Sequence, residues 1–425
     1  MVQTSSSFRL DSRDTCGSIS LSEVISALSY ALNLTEGTVH GHALRSCLLG
    51  MRIAEEVPLP ADQTNSLYYA LLLKDVASSS NAGHLCEMAV PLRSYRGASI
   101  VSKLGMGELA AEAVRCLDEH WDGSGYPARS KAEQIPLLAR ICAVAQHLDI
   151  FATGRSVQSA IDTLQQRSGT WFDPELVRVA TSLHHSGALW TNCTANDSYE
   201  DTQRAVLDLD PGRKQYLKAA EIDRICEAFA DVVDAKSHFT FSHSMGVANA
   251  AFGIAQGIGL SADRVQLVRR AALLHDIGKL SVSNSILDKT SKLSTKEWQS
   301  VRQHPGHTRR ILERVGPFRE IAVIAGEHHE KLDGSGYPNR LIAPDLSLEA
   351  RIIAVADVYG ALSEDRPYRA GLDLDAIVPI MKNLAPRKLD SDCVEALVSA
   401  ISSRREIAFT PAMHAATLPM VYASV

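Results

Sequence analysis

The chain has 425 residues, 45% hydrophobic and 22% charged, with a formal net charge of −6. Such a composition excludes a disordered or fibrous chain, and the length predicts two or three domains. The weakly acidic balance lacks the basic footprint of a nucleic-acid-polymer binder. A small anionic ligand stays open, because clustered cations or metal ions reverse the sign of a pocket. The N-terminal MVQTSSSFRLDSRD has no signal-peptide apolar core, and no stretch approaches the ~20 apolar residues of a membrane span. The cysteines (Cys16, Cys47, Cys86, Cys116, Cys142, Cys193, Cys226 and Cys393) form no CxxC pair. Neither a zinc ribbon nor a disulfide framework is expected, and a cytoplasmic location is.

In chain order, residues 20–185 form a first domain with helical spacing of apolar residues, DGSGYP at 122–127 and LLARICAVAQ at 137–146. A polar, aperiodic stretch over 186–214 reads as a linker. Residues 215–408 form a second domain, and 409–425 read as a loosely packed tail. DGSGYP returns at 333–338, 211 positions later, and LEARIIAVAD at 348–357 keeps that offset. Upstream the offset is 201, which places His42 over His243 and LLLKD (71–75) over ALLHD (272–276). Two blocks in register on either side of one length change are a duplicated domain. Strand-like alternation is scarce, so each copy is expected to be an α-helical bundle.

The second copy carries the chemistry. His243 opens an amphipathic helix with Val247, Ala250, Ala251 and Ile254; His275 and Asp276 end an apolar run; His304 precedes Pro305 near a helix start. His328 and His329 are adjacent, and Asp357 closes a further apolar run. Singly, each histidine reads as a satisfied core residue. Jointly, five histidines and two aspartates exceed what one tetrahedral zinc needs and suit two borderline divalent metals. The His184–His185 pair of the first copy lacks such company and reads as structural.

His243, HDIGK (275–279), HPG (304–306), HHEKLDGSGYP (328–338), ARIIAVADVYGAL (350–362) and SEDRPYR (363–369) together resemble the HD-GYP family. That is the HD-superfamily branch of metal-dependent phosphodiesterases acting on cyclic di-GMP. The resemblance implies an all-α fold of two tandem HD-superfamily bundles. It implies one metal on His243, His275, Asp276 and Asp357, and a second, bridged by Asp276, on His304, His328 and His329. Iron or manganese is the expected cofactor, with two ions per chain. Some relatives place a glutamate four residues before the first histidine, adding capacity for a third ion; here Phe239 stands there.

Paired metals activate water and neutralise the oxygens of a phosphodiester, giving linear pGpG, GMP or both. Asp276 and Lys279 are the expected catalytic residues. Lys279, Arg366 and Arg369 would meet phosphates, and Tyr337 would offer its ring or hydroxyl to guanine or serve the loop alone. Alternatives are the same chemistry on cyclic GMP-AMP or another nucleotide, and a non-catalytic scaffold responsive to cyclic di-GMP. The motifs favour cyclic di-GMP.

The first copy keeps His42 and Asp75, but Lys74 stands for His275, Arg93 for His304, Leu117 for His328, Asp118 for His329 and Gln146 for Asp357. It is read as a regulatory or dimerising module without chemistry, with Asp75 left to pair with Lys74 or Arg93. A homodimer or a signalling-protein partner is the assembly this implies. Retained nucleotide binding, as a sensor, is the alternative.

Overall fold

The computed structural model describes residues 19–33, 41–76, 89–194, 196–211, 217–236, 243–365 and 370–405. Phe239, Arg366, Arg369 and the expected tail fall outside them. The all-α expectation holds, since no strand longer than an isolated bridge occurs among the described residues. The first copy runs α1 (Leu21–Asn33), α2 (His42–Glu55), α3 (Ala61–Leu73), α4 (Ala89–Lys103), α5 (Glu108–Arg115), α6 (Leu137–Gly154), α7 (Val157–Gln166) and α8 (Pro174–His185). Then come α9 (Tyr199–Asp208) and α10 (Ala219–Asp234). The second copy continues with α11 (His243–Ile258), α12 (Ala262–Leu274), α13 (Asn284–Leu287), α14 (Thr295–Arg302), α15 (His304–Leu312) and α16 (Arg319–Gly326). Helices α17 (Leu348–Ser363), α18 (Leu374–Leu384) and α19 (Ser391–Arg405) complete it.

The two offsets carry α2 onto α11, α3 onto α12, α5 onto α16 and α6 onto α17, so the repeat is structural as well as textual. In each copy the helix that begins with the first histidine packs between the other two central helices, α3 and α6 or α12 and α17. The segment that is longer in the second copy carries α13 and α14. A reciprocal Ser294–Glu297 capping box starts α14, satisfying backbone donors that the helix end leaves open. The stretch read as a linker carries α9, whose Val206 is buried, and Arg52 binds the Leu189 carbonyl at 2.8 Å.

The repeated DGSGYP loop is built identically in both copies. Glu119 accepts backbone N–H groups of Ala128 (2.6 Å) and Ser130 (2.9 Å); Glu330 accepts those of Asn339 (2.6 Å) and Leu341 (3.0 Å). A Cβ on Gly125 would lie 2.2 Å from the His120 nitrogen, and one on Gly336 2.5 Å from Glu330 Cα. The loop therefore passes too close to backbone for any residue but glycine. Its recurrence in a copy that lacks most of the histidine set follows from this architecture.

One apolar core spans both copies. Helix α1 packs on α15 and on the 3-10 turn Ile277–Ser281, and α4 packs on α10. The Arg314 guanidinium lies 3.7 Å from the Tyr30 ring centroid and 4.6 Å from that of Tyr199, tying the second copy to α1 and α9.

Candidate metal centre

The histidines and aspartates singled out in the second copy converge. His243 is the first residue of α11, His275 ends α12, and Asp276 leads into the 3-10 turn. His304 opens α15, His328 and His329 follow α16, and Asp357 lies on α17. The adjacent pairs thus sit at helix ends, where neighbours escape the roughly 100° divergence of a continuing helix. Ligand atoms of His243, His275 and Asp276 fall within 4.8 Å of one another, and so do those of His304, His328 and His329. Asp276 stands between the groups. Its Oδ2 is 3.2 Å from His275 Nε2 and 3.7 Å from His243 Nε2. Its Oδ1 is 3.2 Å from His304 Nε2 and 3.8 Å from His328 Nε2. Asp357 also reaches both sides, with Oδ1 3.4 Å from His243 Nε2 and Oδ2 3.5 Å from His329 Nδ1.

The rings are aimed by backbone. Nδ1–H of His275, His304 and His328 donates to the carbonyls of Ala272 (2.7 Å), Val301 (2.6 Å) and Ala325 (2.6 Å). Each Nε2 is thereby left with a lone pair when the ring is neutral. His304 Nε2 and His328 Nε2 nevertheless lie 3.1 Å apart, an opposition of lone pairs that a cation between them relieves. His275 Nε2 and Asp276 Oδ1 are buried without a hydrogen bond. Burial pushes His328 and His329 well below the ordinary imidazole range. Burial opposes ionisation of Asp276, yet His275 and Lys279 hold it well below the carboxylate range, as contact with His243 does for Asp357. The neutral imidazoles of His328 and His329 beside two ionised carboxylates are the protonation state divalent metals require. The residues present fit two such ions.

The expected substrate contacts fare differently. Lys279 Nζ pairs with Asp276 Oδ2 at the edge of the cluster. The Tyr337 ring is already engaged, 4.7 Å from the His329 ring and 4.7 Å from the Arg302 guanidinium. Arg302, two residues before His304, escapes notice in the sequence because a lone arginine at a helix end carries no pattern. Glu364 was likewise part of a matched block without a role, yet its Oε2 accepts from His243 Nδ1 at 2.8 Å.

In the first copy side-chain cations stand where the repeat places metal ligands. Lys74 Nζ lies 2.7 Å from His42 Nε2 and pairs with Asp75, so an ammonium fills the space between those two groups. Arg93 pairs with Asp118 at 2.6 Å, joining the residues that replace His304 and His329. Of the two partners expected for Asp75, Lys74 is the one in contact. His184 accepts from Trp190 Nε1 at 3.0 Å, the structural part expected of it.

A helical bundle that gathers a His–Asp pair and a His–His pair around a shared aspartate defines the HD class of fold, here in tandem with one copy that keeps only His42 and Asp75 of the set. The HD domain family model matches residues 27–176 and 227–393, and the chain belongs to that family, in its HD-GYP branch. It is 36% identical to 3′3′-cGAMP-specific phosphodiesterase 3 of Vibrio cholerae, over 90% of this chain and 95% of that protein. It is 38% identical to the cyclic di-GMP phosphodiesterase response regulator RpfG of Xanthomonas campestris, over 36% of this chain and 41% of that protein. A crystal structure of a cyclic GMP-AMP-specific phosphodiesterase from Vibrio cholerae matches with a TM-score of 0.66 at 35% identity, covering 91% of this chain and 98% of that one. No described helix is long and apolar enough to cross a membrane.

Proposed function

We propose that the second copy is a phosphodiesterase that opens a cyclic dinucleotide, using two divalent ions, iron or manganese. His243, His275, Asp276 and Asp357 would hold one, and Asp276, His304, His328 and His329 the other. The observation that carries this reading is the division of the two Asp276 oxygens between two groups of imidazoles. When bound, such ions activate water and neutralise the phosphodiester oxygens. The chain's own part is to fix the imidazole tautomers, keep both aspartates ionised and present cations to the phosphates. Lys279 reaches the cluster as a point charge that can pass from Asp276 to an incoming phosphate. Arg302, held by Tyr337, adds a guanidinium at the rim, and Arg366 and Arg369 are proposed to clamp phosphates.

The motifs favour cyclic di-GMP, but a relative that aligns with 90% of this chain is 3′3′-cGAMP-specific, whereas RpfG aligns with about a third of it. Of the two, 3′3′-cGAMP is therefore proposed as the better substrate. The first copy is proposed to be a regulatory or dimerising module. Metal analysis of the full chain together with hydrolysis assays on both dinucleotides tests the reading. Two tightly bound ions and metal-dependent cleavage are expected. Three tight ions, or no cleavage by the loaded protein, would overturn it.

A further inference from the structure

His243 is aimed not by a backbone carbonyl but by a carboxylate. Its Nδ1–H donates to Glu364 Oε2 at 2.8 Å, which turns Nε2 toward Asp357 and Asp276. The first copy treats the equivalent ring alike: His42 Nδ1–H donates to Asp149 Oδ2 at 2.6 Å, and Nε2 faces Lys74. The carboxylates, however, come from different places. The offset of 211 carries Asp149 onto Gly360, so the second copy has no side chain where the first has its aspartate. A Cβ on Gly360 would lie 2.9 Å from Val247 Cγ2 and 3.4 Å from His243 Cε1. The offset of 201 carries the smaller Ser46 onto Val247. Glycine and valine in one copy thus stand where aspartate and serine stand in the other. Glu364 stands about one helical turn past Gly360 and reaches back to the same ring nitrogen.

We infer that Glu364 is a positioning residue of the metal centre: its carboxylate replaces the one lost at Gly360 and holds His243 in the tautomer whose Nε2 can bind metal. The inference rests on the metal-centre reading above. A carboxylate on the far nitrogen of a metal-binding imidazole fixes ring and tautomer and raises the ring's basicity, and its removal typically costs about 10–100-fold in metal affinity.

The test is Mn²⁺ titration of the full-length chain by calorimetry, with circular dichroism as the folding control. Three variants are compared with wild type: Glu364→Ala, Glu364→Gln, and a triple variant joining Glu364→Ala with Gly360→Asp and Val247→Ser. Glu364→Ala is expected to bind the same number of ions with one affinity weakened about 10–100-fold. Glu364→Gln, which keeps an acceptor, should lose less, and the triple variant should recover most of the affinity. Unchanged affinity in Glu364→Ala would overturn the inference, as would a folded triple variant without recovery. Outright loss of one ion in both single variants would make Glu364 a ligand rather than a positioning residue. A wild-type chain that binds no Mn²⁺ would overturn the metal-centre reading and this inference with it. If Glu364→Ala does not fold, an undiminished Glu364→Gln or an unrecovered triple variant still overturns the inference.

Discussion

Arg302 and Tyr337 show how a site's charges are apportioned one side chain at a time. The tyrosine is engaged by His329 and by the guanidinium, so the arginine is the more available of the two to a phosphate. A hydrogen bond to a charged group contributes about 1.5–3 kcal/mol, so Arg302→Ala should raise KM about 10–100-fold with little change in kcat. Steady-state kinetics on 3′3′-cGAMP check this, and a fall in kcat alone would speak against it. Protonation sets a second expectation, for the metal-free protein. His328 and His329 are depressed by burial, and burial lowers His307 to about 4. The unfolded chain, with imidazoles titrating near ~6.5, takes up protons first. Stability should therefore fall as pH drops below about 6.5, continuing toward about 4 through His307. His243 is raised to about 9 by Asp357 and Glu364 despite burial, so it stays charged across that acid range and adds no slope. Thermal melts in chelator at descending pH test the sign. At this scale the convergence of the seven expected ligand residues was legible because histidine and aspartate in such number have few other uses together. Glu364 and Arg302 were not, because each acts through a partner distant in sequence.

Elements supply the tolerances. The 3-10 turn after Asp276 lies against α15 so closely that a Cβ on Gly278 would fall 2.0 Å from the His304 carbonyl oxygen. Gly278→Ala must push apart the segments carrying Asp276 and His304, so it should cost at least about 1–3 kcal/mol and weaken metal binding as well. Differential scanning calorimetry and metal titration report the two effects separately. Gly125→Ala in the first copy meets an equally hard backbone contact and should destabilise the chain by a similar amount. It should leave turnover per folded molecule unchanged. The repeat offsets made α2, α3, α5 and α6 readable as partners of α11, α12, α16 and α17. They could not reveal α9, because a short polar helix whose few apolar residues dock on another element has no periodic stripe of its own. Helix α14, with its Ser294–Glu297 capping box, was not read either, because the surrounding insertion had no counterpart in the first copy to align with.

The whole molecule joins a ligand-rich copy to one whose cations are its own side chains. The copies share one core, and α1 lies directly behind the turn and the helix that carry Asp276 and His304. Arg314 between Tyr30 and Tyr199 is part of that junction. Cation–π contacts contribute about 0.5–2 kcal/mol, so Arg314→Ala should lower the melting temperature by a few degrees without altering ion stoichiometry. The duplication was legible from two motifs in register, and so was the asymmetry, since a lysine at the place of His275 cannot offer a lone pair while charged. How tightly the copies are joined was not, because the residues involved recur nowhere in the pattern. The most direct test of the division of labour substitutes the same repeat position in each copy. Product formation from 3′3′-cGAMP and cyclic di-GMP by the Mn²⁺-loaded chain should vanish in Asp276→Asn and persist in Asp75→Asn. Persistence in Asp276→Asn, or loss only in folded Asp75→Asn, would contradict the account.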